Sequence, residues 1–133
     1  MMLLNDNNGF MSLLTILVVG AVGVLIVTTF SLLAIDASRT GFALEQSFQA
    51  KALSNACAEE ALQQISDSVP FSGAGTLSLG EGDCGYDVTA LSGQSRTLDA
   101  TGVVDTIMRK VDVRLDAITP NINITSWQEV ADF

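Results

Sequence analysis

The chain has 133 residues, room for one small domain and one appendage. Its 15 acidic and 6 basic residues give a net charge of −9 and an isoelectric point near 4.1. That balance argues against a nucleic-acid partner, which needs a basic face to meet phosphate, and against attraction to an anionic lipid surface. The one dense basic cluster, Arg109, Lys110 and Arg114, is interrupted by Asp112 and Asp116. Histidine is absent, which removes the commonest general base and zinc ligand. No phosphate loop, G-x-S-x-G elbow or paired-cysteine metal motif occurs. The expectation is a protein without catalytic residues, metal or cofactor.

The mean hydropathy of +0.41 is high for a soluble domain, and the excess is local. From Phe10 to Ile35 no residue is charged, a run of roughly 26 positions where about 20 span a bilayer. A buried core helix of that length needs a larger protein around it than residues 36–133 provide, so the run reads as a membrane helix. It is not an ordinary secretory signal. Met1 to Gly9 reads MMLLNDNNG, with no Lys or Arg, and no A-x-A site follows the run before Asp36.

A short polar leader, then Gly9-Phe10, then MSLLTILVVGAVGVLIV, resembles the type IV pilin and pseudopilin family. The resemblance implies cleavage between Gly9 and Phe10 by a prepilin peptidase, with methylation of the new N-terminus. It implies a filament built with other pilin subunits by pilus assembly machinery. Before assembly the helix would sit in membrane lipid, with the C-terminal domain outside the cytoplasm; afterwards the protein would lie in a cell-surface pilus. In most pilins a glutamate occupies the fifth mature position, where it is thought to meet a neighbour's N-terminal amine; here that position is Leu14. Its loss occurs in some minor pilins and pseudopilins, so the resemblance leans toward a minor or tip subunit. Gly20 and Gly23 provide small residues for close helix packing, or are simply glycines that a membrane helix tolerates.

From Asp36 to Ser68 there is no proline and one glycine, Gly41, and ALEQSFQAKALSNACAEEALQQI is rich in good helix formers. Leu53, Cys57, Ala61 and Ile65 fall on one i,i+4 row. A helix continuous from Phe10 to about Ser68 would be on the order of 90 Å long. Pro70 and the glycines of Ser72-Gly73-Ala74-Gly75 end it.

Strand signals follow. Thr76–Leu79, Cys84–Ala90, Arg96–Thr101 and Lys110–Ala117 are the candidates, with turns at Gly80-Glu81-Gly82-Asp83, Ser92-Gly93 and from Gly102. In the fourth, Val111, Val113, Leu115 and Ala117 alternate with Lys110, Asp112, Arg114 and Asp116, the mark of a half-solvated antiparallel sheet. Short connections imply a meander, and the helix row is the available cover for its apolar face. Cys57 lies on that row and Cys84 shares parity with the inward Tyr86, Val88 and Ala90. A bridge would staple helix to sheet for roughly 3 kcal/mol; the other reading is two buried thiols. Glu81, Asp83 and Asp87 cluster at a glycine turn without EF-hand spacing. Past Pro120, Ile122, Ile124, Trp127 and Phe133 form a last edge strand, dock on the sheet, or contact another subunit. Asn123-Ile124-Thr125 matches a glycosylation sequon.

The expected architecture is α+β: a leader (1–9), a membrane or filament-core helix (10–35), its continuation (36–68) and an antiparallel meander of about four strands (69–133). The expected role is a structural pilin or minor-pilin subunit. The alternative is a solitary single-pass membrane protein whose outer domain binds a partner, and which keeps Met1 to Gly9.

Overall fold

The computed structural model of the chain describes residues 7–132. The order of elements is α1 (Asn7–Asp67), β1 (Gly73–Leu79), β2 (Gly82–Ala90), β3 (Arg96–Val104), β4 (Ile107–Ala117) and β5 (Asn123–Val130). The chain divides into two compact units, Met1–Gly41 and Phe42–Phe133. In the described part of the first, every residue from Asn7 is α-helical.

The second unit packs the rest of α1 on one five-stranded antiparallel sheet, in the order β1-β2-β3-β4-β5. This is the α+β meander expected, with one strand more. The added strand, β5, pairs with β4 through two register shifts, around Arg114/Leu115 and Leu115/Ala117. Those irregularities break the period-two pattern, so Ile124 and Trp127, three residues apart, oppose the inward-facing Leu115 and Val113. The other strands each run longer than the apolar alternation suggests. β3 continues past Gly102 to Val104, and the turn follows at Asp105-Thr106, where Asp105 has φ +53°.

The helix row is buried as its spacing requires. Leu53, Cys57, Ala61 and Ile65 face the sheet, joined by Ala50, Ser54 and Ala58. Leu98, Ala100, Val111, Val113 and Leu115 meet them from the central strands. Small residues let the two layers approach closely. A Cβ placed on Gly102 would collide with the Ala50 carbonyl oxygen and come within 2.6 Å of the Ser54 nitrogen. The helix backbone therefore rests directly on β3, and only glycine fits there.

Cys57 and Cys84 form a disulfide, with Cα atoms 6.0 Å apart and a sequence separation of 27 positions. It joins the centre of the packed helix face to β2. Across the sheet a polar seam ties α1 to the far edge. Lys51 pairs with Glu129 at 3.0 Å, and Trp127 Nε1 donates to Asn55 Oδ1 at 3.2 Å. Arg109 pairs with Glu129 at 2.9 Å and donates to Ser47 Oγ. Lys51 is the first cause of a Glu129 carboxyl held below the ordinary range, helped by Arg109.

The helix-to-sheet connection is locked by Arg96, whose side chain is buried without a carboxylate partner. Its guanidinium donates to the carbonyls of Val69 (3.0 Å), Phe71 (3.3 Å), Gly93 (3.1 Å) and Ser95 (3.0 Å). Four carbonyl dipoles thus replace the water that a buried cation would lose. Gln94 does similar work at the next connection: its Oε1 accepts from the Ile118 and Thr119 amides beside the cis Thr119-Pro120 bond.

Candidate functional site

Two regions carry the chemistry. The first is the N-terminal part of α1. Gly9 and Phe10 lie in its first described turns, both exposed. The first six residues of the expected leader, Met1 to Asp6, lie outside the described residues, and so does Phe133. The helix holds a stretch long and apolar enough to cross a membrane, none of it buried, and so is a candidate membrane span. Leu14, Gly20 and Gly23 all face outward, and nothing lies within 4 Å of a Cβ built on either glycine.

Hydroxyls inside this apolar run turn back on their own helix. Thr15 donates to the Met11 carbonyl at 2.9 Å, Thr29 to Leu25 at 2.8 Å, and Ser31 to Val27 at 2.9 Å. Thr28 donates to both Val24 and Leu25. In hydrocarbon, where water is absent, such internal bonds remove the cost of a bare hydroxyl. A candidate membrane anchor thus follows from sequence and geometry together.

The second region is the open face of the sheet. Register pairing aligns Ala74, Asp87, Asp99, Asp112 and Gln128 in one row across all five strands. Three carboxylates therefore stand side by side on neighbouring strands, an arrangement that costs stability unless something answers it. Asp112 is partly answered by Arg114 at 3.2 Å. Asp99, in the middle, is held above the ordinary carboxyl range, first by burial, then by Asp112 and Asp87, with Arg114 pulling the other way. Sequence reading missed this row, because its members come from three strands and meet only through the register.

The turn acids behave otherwise than as a cluster. Asp83 accepts from Ser78 Oγ on the open face, and Asp87 belongs to the carboxylate row. Among the described residues no group of three His, Cys, Asp or Glu side chains is placed to hold a metal ion. Glu59 and Glu60 face differently on α1, with Glu60 accepting from Gln64 at 3.0 Å. In the sequon, Asn123 Nδ2 donates to Asp116 at 2.7 Å.

Beyond Gly41, α1 also carries large apolar groups that its own sheet does not cover. Phe42, Leu44 and Phe48 are 64, 55 and 63% exposed. Comparison of the chain with protein-family models, with curated proteins and with solved structures gave no match to any of them.

Proposed function

We propose that this chain is a pilin-like structural subunit, held in a membrane by its N-terminal helix and then assembled into a type IV pilus-like filament. Cleavage between Gly9 and Phe10 by a prepilin peptidase would remove the polar leader and keep the anchor. The observations that support this best are two properties of α1: its N-terminal part is uncharged, apolar and exposed, and its C-terminal part covers the meander. Such a helix is stable in lipid and equally stable against copies of itself. Exposed Phe42, Leu44 and Phe48 extend the apolar surface beyond the membrane run, where neighbouring subunits would cover it.

Leu14 gives the filament no carboxylate to meet a neighbour's N-terminal amine, which favours a minor or tip subunit, or purely apolar packing. That same feature, with a leader free of Lys and Arg, favours a second reading: a solitary membrane-anchored binding domain. The deciding experiment is the intact mass of protein purified from membranes and from sheared surface filaments. A chain beginning at Phe10 supports the pilin reading. A chain still beginning at Met1 in both fractions refutes it and leaves the solitary anchor.

A further inference from the structure

The sheet has two free edges, and they differ in how they are guarded. Exposed edges normally carry charges, proline or bulges that discourage another strand from pairing. β5 has two register irregularities, Glu129, and side-chain bonds from Trp127 and Glu129 to α1. β1 has none of these. Gly73 to Leu79, GAGTLSL, contains no charge and no proline, and pairs with β2 in unbroken register over all seven residues. No other described strand pairs with it. Every second residue of such a strand keeps its amide and carbonyl on the open side.

From the unguarded edge we infer that β1 is a docking site for an extended segment of another polypeptide, one that alternates basic and apolar side chains. The alternation follows from the two faces. On the open face β1 presents only Ala74, Thr76 and Ser78, and behind them stand Asp87, Gly85 and Asp83. A strand added beside β1 lies about 10 Å from β2, two strand spacings. A Lys or Arg there, stretched over Ala74 or Ser78, reaches toward Asp87 or Asp83. No exposed cation of this half competes. Arg96 is buried on carbonyls, while Lys51, Arg109, Lys110 and Arg114 belong to α1 and β4 and already pair with Glu129, Asp132 and Asp112.

The other face asks for apolar groups. Gly75 has no side chain because the Tyr86 ring lies over it; a Cβ there would come within 2.7 Å of Tyr86 Cε1. Tyr86 and Leu77 are half-buried, and Leu79 is exposed at the end of the strand. An incoming strand would lay its inward side chains against this ring and these leucines. Main-chain pairing then supplies affinity, and the alternate side chains supply selection. The inference goes beyond the filament reading and holds equally for a solitary anchored domain.

The test uses the full chain, disulfide intact, in a nonionic detergent, with a labelled nine-residue peptide alternating Lys and Val. Fluorescence anisotropy reads binding, and hydrogen exchange reads which amides become protected. Binding with protection at residues 73–79 is the expected result. It should vanish when alternate peptide amides are N-methylated along one edge, a control that leaves the protein untouched. A Glu-Val twin should not bind, and Asp83→Asn with Asp87→Asn should weaken binding about tenfold. Three results would overturn the inference: no binding at millimolar peptide, binding indifferent to N-methylation, or protection confined to β5. Self-association of the chain that slows exchange at 73–79 and excludes the peptide would also overturn it, by giving the edge to a second copy.

Discussion

Gly102→Ala tests whether the helix rests on β3 as closely as described. The added methyl would stand 2.6 Å from the Ser54 nitrogen and 3.0 Å from Leu53 Cβ, with the Ala50 carbonyl nearer still. Two of these three are backbone atoms of α1, so no side chain can swing aside to make room. To regain an ordinary contact near 3.4 Å from the Ser54 nitrogen the helix must retreat by about 0.8 Å, and further still to clear the Ala50 carbonyl. The disulfide one turn further on, at Cys57, resists that retreat. Overpacking of this kind costs about 1–3 kcal/mol, and rigid surroundings place Gly102→Ala near the upper end. For a domain of this size that is a fall of roughly 10–20 °C in melting temperature. Trp127, whose indole bonds to Asn55 on α1, reports the loss by fluorescence in a thermal melt of the detergent-solubilised chain. Gly20→Ala is the matched control, since nothing lies within 4 Å of its Cβ, and its effect should stay within the roughly 1 kcal/mol gain of helix propensity. A Gly102→Ala protein that melts within about 3 °C of the parent would refute the close contact.

Two further outcomes follow from other contacts. Reducing the Cys57–Cys84 bridge, or replacing both cysteines by serine, should lower unfolding stability by about 3–4 kcal/mol, the loop-closure value for this separation; a urea titration showing a loss below about 1 kcal/mol contradicts it. Asp99→Asn should stabilise the domain at pH 7. Burial, Asp112 and Asp87 raise the Asp99 carboxyl in the folded state, so its ionised form costs stability at neutral pH, and that cost fades as the pH falls through the folded pKa. The gain should be about 0.5 kcal/mol per like-charged neighbour relieved, and the gap between variant and parent should close in acid; a gap that widens on acidification shows the sign to be wrong.

The parts of the fold that depend on local pattern were readable from the chain. The i,i+4 row of Leu53, Cys57, Ala61 and Ile65 is buried, and the alternation around Val111, Val113 and Leu115 sets the inward face. What was not readable depends on neighbours distant in sequence. Gly102 looks like the end of a strand, yet it is the point where helix and sheet touch. The pattern of residues 121–133 fits a strand, a docked segment or a subunit contact equally, because the bulged pairing of β5 destroys the period-two signal that marks the other strands. The candidate membrane span is legible from its absence of charge alone. The carboxylate row and the bare edge of β1 are not, since Asp87, Asp99 and Asp112 become neighbours only through register, and no residue of β1 announces that it is outermost.

Strand order equal to chain order has a kinetic meaning. Every strand pairs only with the one before or after it, across connections of a few residues, so the sheet can zip from hairpin to hairpin without waiting for a distant partner. Loop-closure entropy is then small at each step, and local pairing of this kind is the fast class of β-folding. The only far-reaching step left is the arrival of α1 on the finished face. The Cys57–Cys84 bridge records that arrival covalently: in an oxidising compartment it would act as a latch that closes once, after the hairpins, and keeps a helix made early in synthesis on a sheet made late.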